Sequence, residues 1–121
     1  MPIRIQSERE DDVAIVRILP DSPRAGGFEV DLLAAEDVEA ALRKVLEDGI
    51  HKILLDAANV TYMHSRAFWS IVGAAETSLE NGGRLVLFNA SSYLERLVSL
   101  TSASESMEVR STIEEAREAL S

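Results

Sequence analysis

Three neighbours, His64, Ser65 and Arg66, bring an imidazole, a hydroxyl and a guanidinium to one point of the chain. A serine beside a histidine can be a nucleophile with its base, and a hydroxyl displayed where a strand runs into a helix is a place where chemistry or regulation can act. The first chemistry has little support, because neighbours at a turn project in different directions and no Gly-x-Ser-x-Gly elbow surrounds Ser65. An enzyme built on His64 or Ser65 would need a concave polar site around them. A structural role competes with both: serine is a favoured helix N-cap, its hydroxyl accepting from a free amide of the first turn. His51 and His64, the two histidines, fall on different elements, and no carboxylate–histidine pair has helical ligand spacing. No glycine-rich phosphate loop is followed by Lys-Ser or Lys-Thr. Neither a metal nor a cofactor is expected, and no small-molecule substrate is evident.

The elements around Ser65 change period at that residue. Ile53, Leu54 and Leu55 form an apolar run ending at Asp56, and a second apolar patch covers Val60–Met63. Beyond Ser65, apolar residues fall at Ala67, Phe68, Ile71, Val72, Ala75 and Leu79, the spacing of one buried helix face. A buried strand, Lys52–Asp56 with a continuation to Tyr62, therefore runs into a helix from Ser65 to about Glu80, with Ser65 as its cap. Trp69 falls off that apolar face. It either points to solvent or folds over the Pro20–Gly27 loop.

Upstream, Ile3–Arg9 reads as an edge strand, the charged turn Glu10-Asp11-Asp12 follows, and Val13–Leu19 reads as a strand covered on both faces. Pro20–Gly27 is a loop, and a short extended passage takes in Phe28 and Val30. A helix follows from about Leu33 to Glu47, with Glu36, Asp37 and Glu39 in its first turns and Gly49 as its stop. Downstream, Asn81-Gly82-Gly83 closes the second helix and Arg84–Asn89 forms a buried strand. Ser91 or Ser92 caps a third helix. A short strand, Met107–Arg110, precedes a last helix with Ser111 and Glu114 at capping-box spacing. Strands alternating with helices predict one α/β domain over residues 1–121, with a mostly parallel sheet and an antiparallel pair at the N-terminus.

Composition bounds the partners. With 12 basic and 21 acidic residues the net charge is -9, which opposes approach to nucleic acid or to an anionic membrane. No cysteine is present. That excludes thiolate chemistry and, with no signal peptide in evidence, fits a cytoplasmic location. Binding to another protein is the class that remains.

The order of elements and the turn Val60-Thr61-Tyr62-Met63-His64-Ser65 resemble the STAS domain, in particular the bacterial anti-sigma factor antagonists of the sporulation stage II type. The resemblance covers nearly the whole chain. It implies a mixed, mostly parallel sheet of four to five strands packed with about four helices. In that family the turn usually reads Asp-Ser-Ser-Gly, and its first serine, at the position of Ser65, is phosphorylated by an anti-sigma factor that is also a serine kinase. The unphosphorylated antagonist captures the anti-sigma factor and frees the sigma factor, a partner-switching device used in sporulation or stress responses. Glu29 and Asp31 are similar to the family's Glu-Leu-Asp ahead of the first helix. This chain departs from the pattern at His64, Arg66 and Ala67-Phe68-Trp69, and Thr101-Ser102 replaces a customary Thr-Gly or Ser-Gly.

The resemblance thus implies a non-catalytic regulator, phosphorylated at Ser65, whose partner surface includes Glu29, Asp31, His64, Ser65, Arg66 and Trp69. The alternative is a STAS interaction or scaffold module that binds its partner without phosphorylation.

Overall fold

The computed structural model describes residues 3–22 and 26–120, so residues 23–25 of the expected Pro20–Gly27 loop lie outside the described residues. Strand β1 (Ile3–Glu10) turns at Asp11 and pairs antiparallel with β2 (Val13–Pro20). After β3 (Phe28–Val30) come helix α1 (Leu32–Glu47), β4 (Lys52–Asp56), β5 (Val60–Met63) and α2 (Ser65–Glu80). The chain continues through β6 (Arg84–Phe88), α3 (Ser92–Ser99), a 3-10 turn at Ser102–Glu105, β7 (Glu108–Arg110) and α4 (Ile113–Leu120). The main sheet has five strands in the order β1-β2-β4-β6-β7, all parallel except for the β1–β2 pair.

The sheet is covered on both faces, which is why β2, β4 and β6 are apolar almost throughout. Ala14, Val16, Ile18, Ile53, Leu55, Leu85 and Leu87 face α1, α2 and α3. Ile15, Leu54, Val86 and Phe88 face the other way, onto Ala116 of α4. Each large side chain so buried contributes about 1.5–3 kcal/mol relative to exposure. Among the described residues no helix is long and apolar enough to cross a membrane.

Several local expectations change. The strand Lys52–Asp56 does not continue to Tyr62. Asp56 Oδ1 accepts from Ala58 N at 3.0 Å, Asn59 takes a φ of 64°, and the chain leaves the main sheet. β5 then pairs parallel with β3 in a separate two-stranded sheet. Helix α1 starts one residue early because Asp31 caps it, Oδ1 accepting from Ala34 N at 2.9 Å. Glu36, Asp37 and Glu39 consequently lie in its second turn, and its first turn carries no acidic residue. On α2, Leu79 is 38% exposed and Ser78 takes the buried place. The capping box of α4 lies one residue on: Glu115 N donates to Thr112 Oγ1, and Ser111 N to Glu115 Oε1, each at 3.2 Å.

Candidate functional site

The two-stranded sheet sets the geometry of the turn before α2. Phe28 N donates to Asn59 O at 2.9 Å, and Glu29 and Val30 lie opposite Tyr62 and Met63. Gly27 allows this approach: its φ is +92°, and a Cβ there would stand 2.6 Å from both Asn59 O and Thr61 Cγ2. His64 N then donates to Val30 O at 2.7 Å, so the two strands pass into their helices side by side. From the far side, Ser91 Oγ donates to Val60 O at 2.6 Å, and Met63 N donates to the Tyr93 hydroxyl at 3.3 Å. The turn is thus held by β3 and by the start of α3.

Five of the expected site residues meet at this end. Glu29 is exposed on β3 beside exposed Tyr62, Asp31 caps α1, and His64, Ser65 and Arg66 open α2. Trp69 stands one turn further on. It is 49% exposed and packs edge-on against Phe68 with ring centroids 5.1 Å apart. Four residues separate it from Ser65, so both side chains lie on one flank of α2.

The cap of α2 is His64, not Ser65. His64 Nδ1 accepts from Arg66 N at 3.1 Å, while its carbonyl receives Ala67 N and Phe68 N. This assignment removes the structural role expected of the Ser65 hydroxyl. It also occupies the imidazole lone pair that a Ser–His nucleophile would need. Depressions of about 470 and 530 Å³ open elsewhere, between α1 and α2 and beside the loops after β4 and β6, and neither His64 nor Ser65 lines them.

Arg66 reaches across to α1. Its Nε donates to Glu39 Oε2 at 3.3 Å and one terminal nitrogen to Glu39 Oε1 at 3.2 Å, the fork geometry of an arginine–carboxylate pair. The other terminal nitrogen stands 3.8 Å from Glu36 Oε1. Ser70 Oγ adds a bond of 3.1 Å to Glu39 Oε2. The Arg66 guanidinium, with help from the Ser70 hydroxyl, holds the Glu39 carboxyl below its ordinary value, and Glu39 raises Arg66 in return. A cation at a helix N-terminus, unfavourable on its own, is matched here by carboxylates of the neighbouring helix.

Sequence reasoning missed Glu39 as the partner of Arg66, since the two are 27 residues apart. It also missed the exposed apolar group around the caps: Leu32 and Leu33 directly after Asp31, and Tyr62 beside Glu29. The available signal was a Leu-Leu pair at the open end of a helix whose buried stripe begins only at Ala34.

The chain's resemblances agree with this architecture. A family model described as the STAS domain matches residues 26–116. The anti-sigma-B factor antagonist of Staphylococcus epidermidis is 26% identical over 109 residues, which span 90% of this chain and 94% of that protein. An anti-sigma factor antagonist from Mycobacterium paratuberculosis shares the fold with a TM-score of 0.79 at 18% identity, over 98% of this chain and 94% of its own. The phosphorylated form of the Bacillus cell fate determinant SpoIIAA gives a TM-score of 0.70 at 19% identity, over 96% of this chain and 98% of its own.

Proposed function

The chain belongs to the STAS domain family, and on that footing we propose that it is a non-catalytic, cytoplasmic regulator, an anti-sigma factor antagonist switched by phosphorylation at Ser65. Its partner is an anti-sigma factor of the serine-kinase type, docking on the end of the molecule that presents Glu29, Asp31, His64, Ser65, Arg66 and Trp69. The partner transfers the γ-phosphoryl group of ATP to Ser65 Oγ, ADP leaves, and the hydroxyl proton passes to a base of the kinase.

The observation that carries this reading is the position of Ser65: exposed, first in α2, and relieved of capping by His64. A phosphate there brings about two negative charges to a helix N-terminus, where the fold tolerates them, so the effect falls on the docking surface. Kinship with an anti-sigma-B factor antagonist over 109 residues supports the choice of partner class. The test is incubation with ATP and a serine kinase of the anti-sigma type from the same organism, followed by mass mapping. Phosphate on Ser65 supports the switch; an unmodified Ser65, while a control antagonist is modified in parallel, rejects it.

A second reading rests on Trp69, half exposed on the flank of Ser65. Exposed tryptophan is uncommon on monomers and enriched among the residues that dominate interfaces. In this reading the chain binds its partner without phosphorylation. Ser65→Ala then leaves binding and regulation intact, whereas Trp69→Ala weakens binding by about 2 kcal/mol. Loss of regulation in Ser65→Ala decides for the switch.

A further inference from the structure

The surroundings of the Arg66 guanidinium point to a specific use. Of its five N–H donors, those engaged at hydrogen-bond distance go to Glu39, through Nε and one terminal nitrogen. Among the described residues the remaining terminal nitrogen makes only the 3.8 Å contact with Glu36 Oε1, and Glu36 is itself 59% exposed. One edge of the fork is therefore fixed and the other loosely held. Ser65 precedes Arg66 directly, and adjacent Cβ atoms diverge on a helix. It is the length of the 45% exposed Arg66 side chain that lets its free edge swing toward a group on Ser65. Among the described residues the first turn of α2 carries no other cation.

We propose that Arg66 is an internal receiver for a phosphate on Ser65. The guanidinium keeps its two bonds to Glu39 and exchanges Glu36 for the phosphate oxygens. A phosphate dianion is the stronger acceptor, and its approach to Glu36 is repulsive unless a cation stands between them. Modification then acts on two elements at once. It places the phosphate on α2 and removes the counter-ion of Glu36 on α1, so the docking end changes charge on both helices. This inference rests on Ser65 as the modified residue and adds how the modification is received.

The test does not need the kinase. Phosphoserine is installed at position 65 during synthesis, and the phosphate is titrated by phosphorus-31 NMR in the otherwise unchanged chain, in Arg66→Gln and in Arg43→Gln. Arg43 also pairs with Glu39, at 3.2 Å, but from α1 itself, and so controls for the loss of one positive charge. The unchanged chain and Arg43→Gln titrate together, and Arg66→Gln titrates at higher pH by about one unit. Equal midpoints in all three, or equal shifts in both variants, overturn the proposal. Failure of the partner kinase to modify Ser65 would instead strike the reading on which it rests and leave this result standing.

Discussion

Replacing His64 by aspartate tests whether the turn before α2 is held as described. His64 caps the helix through one bond, Nδ1 to Arg66 N at 3.1 Å, with a φ of -57° and a ψ of 140°. Aspartate keeps an acceptor within reach of the same amide and is a better cap than an imidazole. Its charge also lies at the positive end of the helix, a gain of about 0.3–1 kcal/mol. His64→Asp should therefore stabilise by about 1 kcal/mol, while His64→Ala, which deletes the acceptor, should cost about 0.5–1 kcal/mol. At about 2.1 cal/mol/K of unfolding entropy per residue, a chain of this size converts 1 kcal/mol into about 4 °C of Tm. Thermal unfolding by circular dichroism resolves such shifts. The part of the His64→Asp gain that comes from the dipole shrinks in about 1 M salt, where screening reaches only about 3 Å. An unchanged Tm in His64→Ala, or a destabilised His64→Asp, would refute the cap assignment and return the structural role to Ser65.

Other perturbations follow from the same coordinates. A Cβ at Gly83 would stand 1.9 Å from the backbone oxygen of His51, so Gly83→Ala should cost at least about 2 kcal/mol in urea unfolding. At Gly73, mid-helix on α2, a Cβ would meet nothing within 4 Å. Gly73→Ala should therefore stabilise by about 0.5–1 kcal/mol, and a loss there would show that the groove between α1 and α2 is tighter than described. Glu39 is held below its ordinary value by Arg66 and Ser70, so its pairing stabilises the fold above the ordinary glutamate range and is lost as pH falls through the depressed value. The stability difference between the natural chain and Arg66→Gln should thus be present at neutral pH and vanish in acid; a difference independent of pH would contradict the pairing.

Much of the fold can be read from the sequence because it is written in local period. The helix from Ser65 to Glu80 has the bounds expected of it, since the apolar spacing changes at one place and Asn81-Gly82-Gly83 stops it. The start of β4 at Lys52 is where the apolar run begins, although the strand ends short of the expected continuation to Tyr62. The escape of β5 from the main sheet could not be read in this way. Val60–Met63 is an ordinary apolar strand in sequence, and its partner β3 has only three residues, so the pairing is settled by long-range fit. Capping was misread for a related reason. Serine is the commoner cap, but the backbone of His64, fixed by its bond to Val30 O, puts the imidazole at the free amide first. The outward direction of Trp69 was legible as one of two alternatives, because each helical residue advances by a fixed angle. The pairing of Arg66 with Glu39 was not, because it joins two helices brought side by side by their packing on one face of the sheet and by the parallel β3–β5 pair.

In the proposed switch, the end of the molecule around His64, Ser65 and Trp69 docks an anti-sigma factor and a phosphate on Ser65 spoils the contact. The measurement is calorimetric titration of an anti-sigma factor of the serine-kinase type from the same organism, against the unmodified protein and against protein carrying phosphoserine at position 65. The account predicts binding to the unmodified chain and a loss of at least tenfold, about 1.4 kcal/mol, on phosphorylation. Equal affinity for the two forms would contradict it.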